Sequence, residues 1–337
     1  RARGRCGTVS LLVVYNTCGL TGRENSDHYI NNINTILNQD FDDYKVVFSG
    51  CLIQRETFEK VYSTFGKKIS YYLTNEKLAV NQSFNHAVLK GIEEYGEFDG
   101  YVYVASDVRF SDDRSALAKL NDRILDSQNG IVYPEIDHDN GYYWWFDYPE
   151  DKNIWEVFGR ETDFIVPVGK TANLHCAVFS NKIVRAYGRP LPDIFVSYCS
   201  ESSFSFLAAA VKQRFIIAND VLCHHGMNQG AHHQLDGQTQ VFGAAWDLVY
   251  PGAKSVQDLI SSEEAITSGF GHEEWAANPR HNAPADKPYL VHDASRFDEN
   301  GFSVSQELET FIKENLFLSP SILNYSNIEH RFFREAN

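Results

Sequence analysis

The sequence predicts an α/β fold: a mostly parallel sheet flanked by helices, followed by a loop-rich, partly helical C-terminal extension. Three observations carry this expectation. Short apolar runs alternate with stretches of helical spacing through the first ~110 residues, the pattern of βαβ units. Hydrophobic residues make up 43% and aromatic residues 14% of the 337 positions, a composition that folds around a core rather than staying disordered. Beyond Gly226 the periodicity loosens, and Gly, Asn, His and Pro are frequent through Pro288.

The elements follow in order. Thr8 to Tyr15 is aliphatic and β-branched and reads as a first strand ending at Asn16, with a Gly-containing loop after it (Gly19, Gly22). Asp27 to Leu37 places Tyr29, Ile33, Ile36 and Leu37 at helical spacing, with Ser26 or Asp27 as N-cap. Tyr44 to Phe48 is a second strand ending at Ser49-Gly50, Arg55 to Phe65 a second helix, Lys68 to Leu73 a third strand and Ala79 to Tyr95 a third helix. A fourth strand then runs from Gly100 and ends at Asp107. After it come a helix over Ser115 to Ser127 and strands over Gly130 to Tyr133 and Leu174 to Phe179. A helix over Ser202 to Gln213 precedes a strand over Arg214 to Ala218, which leads through Val221-Leu222-Cys223 to His224-His225. An amphipathic helix near Val304 to Leu316 closes the chain.

The charge balance excludes one large class of function. With 30 basic against 45 acidic residues the formal charge is −15, whereas a general nucleic-acid binder needs a basic footprint. A small anionic ligand remains compatible, because a metal ion and a few local donors can outweigh the global field. Six cysteines (Cys6, Cys18, Cys51, Cys176, Cys199 and Cys223) form no CxxC pair, so they are expected as buried free thiols in a reducing compartment. No apolar run approaches the ~18 residues of a membrane span, and no secretory leader is expected. These features predict a cytoplasmic protein, or one held peripherally at a membrane.

The chemistry gathers around Asp107. In an open α/β sheet ligands bind beyond the carboxyl ends of the strands, and a carboxylate there can hold a divalent cation against a phosphate. The alternative for a lone strand-end Asp is a turn former or helix cap. Asn16 and Thr17, at the end of the first strand, are expected to line the same crevice. Adjacent histidines on an extended chain point to opposite sides, so one of His224 and His225 is expected to reach the metal or diphosphate. A separate site built with His232 and His233 is the rival. Arg109 is expected to pair with Asp112 or Asp113 rather than with a phosphate. The aromatic stretch Tyr142 to Tyr148, with Trp144 and Trp145, reads either as a sugar-stacking surface or as an interface; with Asp139 and Asp193 it supplies the acceptor-side candidates.

On these residues the sequence resembles the GT-A glycosyltransferases, in particular the large inverting family 2 that includes rhamnosyl-, galactosyl- and glucosyltransferases. The resemblance rests on Tyr15-Asn16, on Asn34-Thr35-Ile36-Leu37-Asn38-Gln39, on Val80-Asn81-Gln82-Ser83-Phe84-Asn85-His86-Ala87 and on Ala105-Ser106-Asp107-Val108-Arg109-Phe110. It spans about residues 8 to 230. It implies a GT-A (Rossmann-like) fold, a nucleoside-diphosphate sugar as donor, and Mn²⁺ or Mg²⁺ held by Asp107 with His224 or His225. It further implies donor contacts from Tyr15, Asn16, Thr17, Ser49, Asn81, Asn85 and Ser106. Aligning the family's Glu-Asp pair with Ser200-Glu201 makes Glu201 the general base. Two departures stand out: Ala105 replaces the first acid of the family's DxD motif, and Phe48-Ser49-Gly50-Cys51 lacks its base-reading Asp.

The expected activity is transfer of a sugar to a hydroxyl of a glycan acceptor by inverting, metal-assisted single displacement, in polysaccharide biosynthesis. The alternatives are a catalytically silent carbohydrate-binding or assembly protein and a nucleotidyltransferase. A catalytic domain over 7–228 and an extension over 229–337 are expected, the latter as an acceptor cover or interaction segment. Expected partners are the donor, the acceptor and other glycan-assembly enzymes, the chain standing alone or as one domain of a larger protein.

Overall fold

The structure, a computed structural model, describes residues 10–18, 26–74, 78, 80–138, 159, 161–166, 174–192, 204–226, 310, 317, 330 and 331. The elements are β1 (Leu11–Cys18), α1 (Ser26–Leu37), β2 (Tyr44–Cys51), α2 (Arg55–Phe65), β3 (Ser70–Thr74), α3 (Val80–Tyr95), β4 (Gly100–Ala105), β5 (Val108–Phe110) and α4 (Ala116–Leu125). They continue with β6 (Asn129–His138), β7 (Phe164–Val166), β8 (Cys176–Ser180), α5 (Asn181–Tyr187), α6 (Phe204–Ala210), β9 (Arg214–His225) and β10 (His330–Arg331).

Among the described residues the strands form one sheet in the order β10-β3-β2-β1-β4-β8-β6-β9-β5, with β7 also on β9. β1 pairs in parallel with β2 and β4, β2 with β3, and β6 with β9. β8 runs antiparallel between β4 and β6, and β5, β7 and β10 are antiparallel to their partners. The carboxyl ends of β1, β2, β4, β6 and β9 therefore lie along one edge of the sheet, together with the start of β8.

β1 shows why the alternation in the sequence was readable. Leu11 to Tyr15 are all fully buried, as a central parallel strand covered on both faces must be. Gly91 of α3 abuts the side chain of Leu12, while Gly100 abuts Leu11 and Ile124 of α4. α3 and α4 thus cover opposite faces. Tyr15 contacts Tyr29 of α1 and Phe48, and Phe48 meets Tyr71, which packs on Phe58 of α2. That puts α1 and α2 on the α4 face. On the other face Phe84 of α3, Phe179, Phe204 of α6 and Phe215 form a continuous aromatic row.

Cys51, Cys176 and Cys223 are buried free thiols, as expected. Burial pushes the Cys223 thiol well above its usual range, and a hydrogen bond with Cys176 adds to this. β9 is longer than the sequence predicts and continues past Ala218 through an irregularity in its pairing with β6. α5 was not anticipated. It starts at Ser180, whose hydroxyl accepts from Ile183 N–H, and ends at Gly188, whose φ of 79° closes the helix in the left-handed region. Of the expected C-terminal helix, Thr310 is helical and the rest lies outside the described residues. No helix among the described residues is long and apolar enough to cross a membrane.

Candidate active site

The site begins with the turn after β4. The Ser106 carbonyl accepts hydrogen bonds from the Tyr15 hydroxyl (2.5 Å) and from Asn32 Nδ2 (2.9 Å). Burial, first of all, keeps the Tyr15 phenol pKa far above its ordinary value, and nearby Tyr29 and Asp107 push the same way against the bond with Asn32. Tyr15 is therefore a fixed donor. On the other side of the turn, Gly226 N–H donates to the Asp107 carbonyl (2.8 Å). The backbone at Ser106-Asp107 is thus tied to β1, α1 and the end of β9.

These ties place the Asp107 carboxylate 3.2 Å from His225 Nε2, with side chains only 16% and 12% exposed. The His175 ring lies 4.0 Å from that of His225, tilted by 35°, and the His175 carbonyl accepts from Ala105 N–H (2.8 Å). His224 turns to the other side of β9, where Nδ1 meets Asp137 Oδ2 at 3.0 Å. The two histidines do diverge, as strand geometry requires, and His225 is the one beside Asp107. Arg109 is exposed and in register with His224. Of its two expected partners, Asp112 and Asp113, the second is engaged by Lys119 Nζ (2.6 Å) and Ser115.

Several residues expected at the donor are engaged inside the fold. Asn16 Nδ2 donates to the Val80 carbonyl (3.0 Å) and its Oδ1 accepts from Ser83 (2.7 Å). Thr17 donates to the Tyr29 hydroxyl (3.0 Å), and Ser49 is fully buried against Ser83. Asn81 donates to the Pro192 carbonyl, and Asn85 bonds both backbone polar groups of Leu191. These side chains join strand ends to α3 and, through Tyr29, to α1, and they join α3 to the segment after α5. Glu201, Asp139, Trp144, Trp145, Asp193, His232 and His233 lie outside the described residues. Reading the sequence missed Asn32 and His175. A mid-helix Asn and a single His before a strand carry no local pattern, and only the fold brings them to Ser106 and His225.

Among the described residues no group of three or more His, Cys, Asp or Glu side chains is arranged to hold a metal ion. The Asp107–His225 pair would supply two ligands to such an ion. The carboxylate oxygen suits Mn²⁺ or Mg²⁺, and the imidazole nitrogen beside it matches a transition ion such as Mn²⁺ better than Mg²⁺. Their 3.2 Å separation fits neighbouring ligands of one octahedral ion, which lie about 3 Å apart for bonds of about 2.1 Å. An ion so held needs further oxygens, as from a diphosphate.

No family model and no curated protein matches the sequence. Solved structures do match. S. aureus TarS 1-349 in complex with UDP-GlcNAc aligns over 75% of this chain and 67% of its own, with 13% identity and a TM-score of 0.50. GalNAc-T7 with UDP, GalNAc and Mn²⁺ aligns over 81% of this chain and 55% of its own, with 10% identity and a TM-score of 0.54. The chain has the GT-A fold. A longer TarS chain matches over 42% of its length (14% identity, TM-score 0.51), so the present chain spans less than half of that protein. Within the GT-A sheet Asp107 follows β4, and His225 ends the strand that pairs with β5 immediately after it.

Proposed function

We propose that the chain is a glycosyltransferase that moves a sugar from a nucleoside-diphosphate donor to a hydroxyl of a glycan acceptor. The observation that carries this reading is the Asp107–His225 pair at the carboxyl edge of a GT-A sheet. Asp107 and His225 would hold Mn²⁺ or Mg²⁺, which supplies neutralisation of the charge that grows on the leaving diphosphate. Tyr15 and Asn32 keep the carboxylate in place by fixing the Ser106 carbonyl. Low exposure of the pair limits competition from water for both ligands.

The acceptor hydroxyl must lose its proton as it attacks the anomeric carbon, and Glu201 is assigned to take it. Attack from the face opposite the diphosphate, with one base and no covalent sugar–enzyme bond, inverts the anomeric configuration. Trp144, Trp145, Asp139 and Asp193 are assigned to the acceptor side, and residues 229–337 to its cover. Polysaccharide biosynthesis at the cytoplasmic side is the setting this chemistry fits.

The test is a panel of nucleoside-diphosphate sugars with Mn²⁺ and simple glycan acceptors, read as nucleoside diphosphate released and sugar transferred. Wild-type turnover that Glu201→Gln abolishes supports the assignment. Metal-dependent donor binding without turnover on any acceptor would favour a carbohydrate-binding or assembly role. Release of pyrophosphate from a nucleoside triphosphate would favour nucleotidyl transfer.

A further inference from the structure

The two halves of the Asp107–His225 pair are held in different ways. The Asp107 turn is pinned through backbone carbonyls, at Ser106 by Tyr15 and Asn32 and at Asp107 itself by Gly226 N–H. His225 ends β9, paired with Val108 of β5 and His138 of β6. Strand pairing fixes its backbone but leaves its side chain a choice of rotamers. A metal-binding imidazole needs its ring orientation set by a group behind it.

The start of β8 supplies such a group. β8 pairs with β6 at Ile131↔Phe179 and Val132↔Val178, and β6 then runs on beside β9 to His138. The start of β8 closes on the end of β9, although the two strands are not neighbours in the sheet. Two contacts form there. The fully buried thiols of Cys176 and Cys223 hydrogen-bond, and the His175 ring lies 4.0 Å from that of His225, tilted by 35°. His175 is in turn fixed to β4: its carbonyl accepts from Ala105 N–H (2.8 Å), and Cys176 pairs with Val104. The strand end that leads into the Asp107 turn therefore also carries the ring that meets His225.

Centroids at 4.0 Å are closer than the ~4.5–7 Å of most aromatic pairs, so the rings meet over their faces. A turn of the His225 ring about Cβ–Cγ would drive its edge into His175. Among the described residues His175 does not make the pair a three-ligand group; what it offers is a ring face.

We propose that His175 is a positioning residue for the metal end of the site: its ring face holds the His225 imidazole in the orientation that brings Nε2 beside the Asp107 carboxylate. The part of this inference that concerns the ion rests on the transferase reading; the part that concerns the His225 ring does not.

The test compares wild type, His175→Ala and His175→Phe. Affinity for Mn²⁺ alone is read from the free-ion EPR signal during titration, and order of the His225 ring in metal-free protein from carbon relaxation at Cε1. His175→Ala should bind Mn²⁺ about tenfold more weakly, the lower end of the roughly 10- to 100-fold that groups behind metal ligands contribute. Its His225 ring should be more mobile, while Val13 in the central strand is unchanged. His175→Phe keeps a flat ring without a nitrogen and should restore both. If His175→Ala does not fold, His175→Leu, which also lacks the planar face, carries the same comparison. Unchanged ring order or unchanged Mn²⁺ affinity in His175→Ala overturns the inference. So does a loss of Mn²⁺ in His175→Phe equal to that in His175→Ala, which would make His175 a ligand instead. A wild type that binds no Mn²⁺ overturns the metal reading of the pair alone, because His225 ring order still tests the hold.

Discussion

Arg123 of α4 offers the sharpest prediction about how His225 comes to its place. β9 leaves register with β6 between Ala218 and Leu222, and the polar residues Asn219 and Asp220 fall in that bulge. Arg123 grips it: Nε and Nη2 donate to Asp163 (2.8 and 2.9 Å), and Nη2 also to Asp220 (2.6 Å) and Asn219 (3.0 Å). Asp163 in turn accepts from Asn219 N–H (3.0 Å). Burial pulls the Arg123 pKa down, but the bond and charge of Asp163, with those of Asp220, outweigh it, and the net shift is upward. Arg123→Met would leave Asp163 without its cation and Asp220 with only Lys119 Nζ, 3.7 Å away. Breaking a buried pair costs about 3–5 kcal/mol. Arg123 is 17% exposed but Asp163 and Asp220 are 29% and 43% exposed, so solvent screening lowers the expected loss to about 2–3 kcal/mol. For a chain of 337 residues that corresponds to a melting temperature lower by about 3–4 °C. Urea and thermal denaturation measure it, and a double-mutant cycle with Asp163→Asn should return a coupling of about 1–2 kcal/mol. A loss under about 0.5 kcal/mol, typical of a surface substitution, would refute the reasoning that this bulge is held by a paired guanidinium.

Two further predictions concern neighbouring features. Lys119, and then Ser115, hold the Asp113 carboxyl down at about 2. A depressed folded-state pKa stabilises above the unfolded value of about 3.9 and is lost as pH falls through the folded one. Unfolding free energy should therefore decline between about pH 4 and pH 2 more steeply in wild type than in Asp113→Asn, and parallel curves would refute the pairing. Tyr15→Phe should cost only about 1 kcal/mol, because Asn32 still donates to Ser106. Combined with Asn32→Ala it should cost more than the sum in urea titrations, since the Ser106 carbonyl then loses both donors; strict additivity would contradict their shared acceptor.

Much of the fold was legible because its central strands obey simple rules. Leu11 to Tyr15 is continuously apolar since both faces are covered, and Arg55 to Phe65 carries its helix in its own spacing. The failures have physical causes. Asn219-Asp220 broke the apolar pattern of β9 because Arg123, distant in sequence, satisfies them. α5 was signalled by Ser180 and Gly188, but its seven residues are too short for periodicity to register. At the site, Asp107 and the divergence of His224 from His225 followed from strand geometry. The engagement of Asn81 and Asn85 with Leu191 and Pro192 did not, because a buried amide in a helix looks the same in sequence whether it faces a ligand or a backbone.

Calorimetric titration of nucleoside-diphosphate sugars, with and without Mn²⁺, tests the central claim most directly when wild type is compared with Asp107→Ala, His225→Ala and His224→Ala. Binding should require the metal in wild type and in His224→Ala, whose side chain faces Asp137, and should be lost in Asp107→Ala and His225→Ala. Metal-independent binding in wild type, or loss in His224→Ala with retention in His225→Ala, would contradict the assignment of Asp107 and His225 as the metal end of the site.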